Sequence, residues 1–339
     1  MSATQADYLV AGVLWIAVVI YACFAGADFG GGVWDLFARG PRKEAQRRAV
    51  SRAMGPVWEA NHVWLIFLIT GLFTSFPPAF VRLAVGLYLP FSLALLGIVL
   101  RGAAFAFRAH GAPEQRTTTP WGLAFGAASI MTPFVLGACA GAVAAGDVPA
   151  NPSPSFDALV GVWTTPFCLV CGGLALSICA GLAAAYLTVE ASDAGDSALA
   201  EDFRRRALLA GAVTLVLAIV TLPLLTTEAP GLWTGLTTRG LPLVIMAVVF
   251  AAAAGGAMYS RHYRLARLAA PAQVAAILLG WAVAQAPYLV PPDLTVDNSA
   301  SPPEVMTALL IAYVAGAAVL FPSLLLLFRV FKGQNPAAA

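Results

Sequence analysis

The stretch FAGADFGGGVWDLFARGPRKEAQRRAVSRAMGPVWEANHVWLI, residues 24–66, decides the fold. An apolar run breaks off into a segment holding six basic residues from Arg39 to Arg52, and a second apolar run follows at once. An apolar helix, a basic turn and a returning apolar helix form the pattern of a polytopic membrane protein. Composition says the same of the whole chain. Of 339 residues, 60% are hydrophobic and 11% charged, against about 25% charged in soluble domains. A soluble enzyme is therefore excluded. The formal net charge of +2 gives no electrostatic basis for a nucleic-acid partner, and none is expected.

Working outward, apolar segments fall at about 8–37, 53–73, 78–108, 119–146, 157–189, 204–226, 240–259, 265–290 and 305–331. They predict nine transmembrane helices in one all-α membrane-embedded domain, residues 1–339. RGPRKE, SFPP, GDVPANPSPS, TTEAPG and VPPDLTVDNSASPP punctuate the runs. Inside a bilayer every backbone polar group needs an internal partner, so runs of this length imply a helical bundle. No basic stretch precedes the first run and no small-residue cleavage site follows it, so it reads as a retained helix. The five cysteines all lie in apolar segments, and Cys168 and Cys171 in TPFCLVCGG read as helix-packing residues.

The loops set an orientation. Sixteen of the nineteen Lys and Arg residues fall in alternate connections and at the C-terminus: 39–52, 108–116, 204–206, 261–267 and 329–332. Arg82 and Arg239 lie on the other side and Arg101 within the third run. Basic residues stay cytoplasmic, which puts the N-terminus outside and the C-terminus inside.

Against this background, Asp28 and Glu59 stand out. A carboxylate at membrane depth costs on the order of 2.5–3.5 kcal/mol and marks an ion or proton pathway by default. Arg101, in GIVLRGAAFAFR, is the natural counter-charge. Counting back from the basic loops at 1.5 Å per residue puts Asp28 roughly 16 Å deep, and Glu59 and Arg101 roughly 10 Å. All three share the cytoplasmic half. A proton conduit and a structural ion-pair network both satisfy that spacing. His62 lies three residues after Glu59 on the same helix face, with Trp58 and Asn61 beside it, and an imidazole near a carboxylate suits a proton relay. Gly26 and Gly30 form a G-x-x-x-G pair around Asp28, a pattern that lets another helix approach closely.

Of the three histidines, His62 alone lies in a span, and His110 and His262 sit at loop edges. Haem iron takes axial His, Met or Cys ligands, so no cofactor is expected to be held firmly by this chain. No Walker lysine motif, dinucleotide fingerprint or nucleophile elbow is present.

AGADFGGGVWDLF (25–37), GPVWEANHVWLI (55–66) and LRGAAFAFR (100–108), spaced on the first three of nine helices, resemble subunit II of cytochrome bd quinol oxidases. The resemblance implies a heterodimer in the bacterial or archaeal plasma membrane. Subunit I would carry two b-type haems, a d-type haem and the quinol site, and the complex would reduce dioxygen to water and contribute to the proton gradient. Subunit II would be two four-helix bundles, about 8–146 and 157–290, plus a peripheral helix at about 305–331. It would act as a scaffold and supply a proton route, with lipid and quinone around it and a structurally held quinone or lipid left open.

By the same resemblance, Glu59 and Asn61 match the acid and amide of the family's W-D-x-N element. Asp28 matches the second acid of a D-G-F-D segment, and Arg101 the arginine of an R-P-x-x-F segment. A proton path through Asp28, Glu59 and His62 follows, with Arg101, Asn61 and Trp58 as structural or charge partners and no metal ligands. This chain departs from the pattern at Ala25, His62 and Gly102, which marks a divergent branch. Two other readings fit the intramembrane charges. One is a proton-coupled secondary transporter, against which stands the absence of matching broken helices in two halves of the sequence. The other is a purely structural membrane subunit.

Overall fold

The computed structural model describes residues 3–110, 120–153 and 155–332, and for residues 3, 54–60, 108–110, 321, 324, 325 and 327–332 the backbone alone. The chain forms helices α1 (Ala3–Leu36), α2 (Lys43–Ser75), α3 (Pro77–Gly86), α4 (Tyr88–His110), α5 (Pro120–Ala145), α6 (Phe156–Gly161) and α7 (Pro166–Asp193). It continues through α8 (Ser197–Glu228), α9 (Pro230–Thr237), α10 (Leu241–Tyr259) and α11 (Tyr263–Gln285). Strands β1 (Tyr288–Val290) and β2 (Leu294–Thr295), then α12 (Val296–Ser299) and α13 (Pro303–Lys332), complete it. Among the described residues, eight helices are long and apolar enough to cross a membrane, or nine if one bent pair is counted as a span.

That bent pair corrects one expectation. The run 78–108 is two helices, α3 and α4, parted at Leu87 (φ −116°, ψ 25°), and α3 leaves α2 at 120°. Phe76 sits at φ −134°, ψ 64°, outside the helical region, and Pro77 opens α3. Proline disfavours a helical residue before it but suits a first helical turn, so SFPP both ends one helix and starts the next. Phe76 is fully buried, which fixes the corner in the core. The run 157–189 likewise divides into α6 and α7, where the Thr165 hydroxyl caps α7 by accepting from Cys168 N at 3.3 Å ahead of Pro166. The last residues of 265–290 are not helical, since Tyr288–Val290 pairs antiparallel with Leu294–Thr295.

The corner at Phe76 has a counterpart. Helix α8 ends at Ala229, at φ −135°, ψ 55°, and Pro230 opens the short α9 before α10. The order long, long, short, then two medium helices thus occurs twice, as α1 to α5 and as α7 to α11. The sequence alone did not disclose these paired short helices, and its argument against a transporter on that ground falls away.

Helix α1 lies centrally, packed against α2, α5, α7, α11 and α13; α7 packs on α5, α8 and α11; α4 lies on α5 and α10 on α11. Close approach explains Gly30, because a Cβ there would run into the Cys179 carbonyl of α7. A backbone obstacle cannot swing aside. Gly30→Leu is expected to force α1 and α7 apart and to reduce accumulation of the protein in membranes severely, measured by immunoblot, since overpacking costs about 1–3 kcal/mol or more. Cys168 is fully buried in the α5–α7 contact, within an apolar core that includes Cys139, Ala138 and Ala142.

The basic segments 39–47, 204–206 and 261–267 meet at one end of the helices. The Arg42 guanidinium donates two bonds to Asp202, at 2.7 and 2.6 Å, and Gln46 adds a third at 3.1 Å. Arg206 donates to Gln46 Oε1 at 2.7 Å and to the Phe37 carbonyl at 3.3 Å, while Arg47 reaches the Asp35 carbonyl at 3.4 Å. Arg206 thus supplies a partner for a carbonyl just past the end of α1, and Arg47 adds to the Asp35 carbonyl, which also accepts from Ala38 N at 3.4 Å. Arg264 and Arg267 pair with Asp193 and Glu190 at the α7–α11 corner.

Candidate functional site

Asp28 on α1 and Arg101 on α4 form a closed ion pair. Arg101 Nη1 donates to Asp28 Oδ2 at 2.6 Å, and Nη2 donates to Oδ1 and to the Asp28 carbonyl, each at 2.8 Å. Its Nε donates to Ser129 Oγ on α5 at 3.0 Å, and that hydroxyl donates in turn to the Phe125 carbonyl at 2.7 Å. The fork meets the carboxylate in the bidentate geometry that arginine favours. The guanidinium carbon also lies 5.1 Å from the Phe29 ring centre and 4.7 Å from that of Phe125.

Burial makes this arrangement consequential. Asp28 is 1% and Arg101 3% exposed. A charge this deep is tolerated only when paired and hydrogen-bonded. The sequence builds the site locally: Gly32, one turn after Asp28, has no side chain where Ser129 Oγ approaches α1. Phe29 and Phe125 close two sides of the guanidinium with ring faces, which attract the cation.

Helix α2 brings the remaining groups. Asn61 is 2% exposed and its side chain donates a hydrogen bond to the Asp28 carboxylate. Tyr21, Asp28, Phe29, Asn61, His62, Leu65, Ile98 and Arg101 together line one cavity of about 10 Å³. Four of the six residues expected from the sequence, Asp28, Arg101, Asn61 and His62, therefore converge. The side chains of Glu59 and Trp58 lie outside the described residues. Ser129, Tyr21 and the flanking phenylalanines were not anticipated, because a lone serine or an aromatic in an apolar helix carries no signal of its own. Among the described residues, no group of three or more His, Cys, Asp or Glu side chains could hold a metal ion.

The family model for cytochrome bd terminal oxidase subunit II matches residues 6–331. The chain belongs to that family. Subunit II here is similar to a Bacillus subtilis protein described as a putative cytochrome bd menaquinol oxidase subunit II, 23% identical over 96% of this chain and 95% of the relative. It also resembles the cytochrome bd-I ubiquinol oxidase subunit 2 of Escherichia coli, 28% identical over 43% of this chain and 38% of that one. The structure of the bd oxidase from Geobacillus thermodenitrificans has the same fold, with a TM-score of 0.81 at 24% identity, covering 98% of this chain and 100% of the other.

Subunit II is thus a multi-pass membrane protein and one component of a quinol-oxidising oxidoreductase of the bacterial plasma membrane, with subunit I as its partner. The transporter reading gives way to family membership.

Proposed function

We propose that this subunit II acts as the scaffold for a haem-bearing subunit I and as the entry path for the protons consumed when dioxygen is reduced to water. The b- and d-type haems and the quinol site belong to subunit I in this reading. The basic end of the helices faces the cytoplasm, with the N-terminus outside, in keeping with the loop charges. Helices α1, α2, α4 and α5 make one four-helix bundle, α7, α8, α10 and α11 a second, and α13 lies at the periphery.

One observation carries the proton path: polar side chains from α1, α2 and α4 converge on a single cavity within otherwise apolar helices. Glu59, three residues before His62 on α2, takes protons from the basic end, and His62 passes them on. Asp28 contributes its charge beside this path, held by Arg101. A proton taken up at the cytoplasmic face and consumed at the partner's oxygen-reducing centre adds to the gradient across the membrane. The quinol is of the menaquinol or ubiquinol class, as the relatives' names state for those proteins.

The closed geometry of Asp28 and Arg101 also favours a second reading, in which the pair only fixes the register of α1 and α4. Turnover separates the two. His62→Gln in the purified complex is expected to lower quinol-driven oxygen consumption about tenfold with the haem absorbance unchanged, because glutamine keeps hydrogen bonding but does not titrate. Wild-type turnover in that variant removes His62 from the path.

A further inference from the structure

The Asn61 side chain has one half explained and one half not. Its amide nitrogen serves the Asp28 carboxylate, which only accepts, so the oxygen must point elsewhere. That oxygen, Oδ1, is fully buried and has no hydrogen-bond partner. A buried acceptor left unsatisfied costs about 1–3 kcal/mol, and native proteins seldom tolerate one. Asn61 lines the cavity described above, and its volume of about 10 Å³ matches the space that about one water needs. Tyr21, His62, Asp28 and Arg101 on the same wall supply the further polar partners that a buried water requires.

We propose that this cavity is a binding site for a single ordered water, which donates to Asn61 Oδ1 and lies between His62 and the Asp28–Arg101 pair. Volume and charge both select water. The space suits a molecule of water's size, and the Asp28 carboxylate and Arg101 guanidinium on its wall are already paired with one another. The bound water gives His62 a neighbour through which a proton can move without disturbing the ion pair. Asn61 is a positioning residue here, since its two ends hold the water and the carboxylate at a fixed separation. Occupancy follows from the geometry alone, whereas the relay role rests on the proton path proposed above.

The test begins with a structure of the intact two-subunit oxidase at a resolution that shows ordered solvent. A solvent peak is expected about 2.7–3.2 Å from Asn61 Oδ1. Two variants then remove the water from opposite sides: Asn61→Leu deletes the acceptor, and Ile98→Phe fills the cavity while leaving Asn61 in place. Each is expected to lose the peak and to lower oxygen consumption about tenfold with haem absorbance intact. Should Asn61→Leu fail to assemble, Ile98→Phe still reads the relay and the wild-type map still reads the occupancy. An ordered but empty cavity, or a protein donor seated on Asn61 Oδ1, overturns the site. A peak that vanishes in either variant without any change in turnover overturns the relay. If the peak is present but His62→Gln turns over normally, the proton path through His62 fails while the water site stands.

Discussion

Arg101→Met is expected to abolish accumulation of the oxidase complex, not merely to slow it. Methionine roughly fills the arginine's stem but supplies none of its four hydrogen bonds, three to Asp28 and one to Ser129. Asp28, 1% exposed, is left a buried carboxylate without its cation. Breaking a buried pair from one side costs about 3–5 kcal/mol, a large share of the roughly 5–15 kcal/mol by which a typical domain is stable. The measurement is subunit II by immunoblot, together with haem absorbance, in membranes from cells expressing the variant, with a fall of more than about tenfold expected. The double variant Asp28→Leu, Arg101→Met should recover most of that loss, because replacing both members of a buried pair with apolar residues of similar volume is often neutral. Normal accumulation of Arg101→Met alone would show that the pair does not hold α1 to α4.

Glu59→Gln is the complementary experiment, with assembly spared and chemistry lost. Glutamine has nearly the same shape and keeps hydrogen bonding, but a carboxamide neither takes nor releases a proton near neutral pH. A proton-transfer group typically contributes about 10²- to 10⁴-fold to rate. Oxygen consumption by the purified complex is therefore expected to fall about a hundredfold with haem content and subunit ratio unchanged, and Glu59→Asp should retain much of the activity. Wild-type turnover in Glu59→Gln would leave the subunit a scaffold. Run alongside the double variant at Asp28 and Arg101, the comparison separates a group that carries protons from a pair that holds helices.

Much of this site is legible in the sequence because charge in an apolar helix is conspicuous and depth can be counted from the basic loops. Asp28 and Arg101, placed at similar depth by that count, are in contact. The count could not choose between loose neighbours and a closed fork, since that depends on Ser129 and on the bare Gly32 beside it. Helix number was readable from apolar runs, but α3 merged with α4 because its residues are apolar too and the break between them is the single apolar residue Leu87. The α9 segment escaped notice for a different reason: at eight residues it is too short to register as a run. Asn61 was marked as a partner by its position, yet only the packed structure separates its satisfied nitrogen from its unsatisfied oxygen.

The twofold occurrence of the long, long, short, medium, medium helix order supplies an internal control. Pro77 and Pro230 open the two short helices, an offset of 153 residues (230 − 77). Carried along α2 and α4, that offset sets Glu59 against Ala212, Asn61 against Thr214, His62 against Leu215 and Arg101 against Ala254. In the second half the polar content shrinks to a neutral contact, Thr214 Oγ1 donating to Ser177 Oγ at 2.9 Å. One copy of the frame therefore stands without a buried charge. The buried charge of subunit II is thus lopsided: among the described residues Asp7, Asp28, Asp35 and Arg101, its buried charged side chains, all lie in the first half.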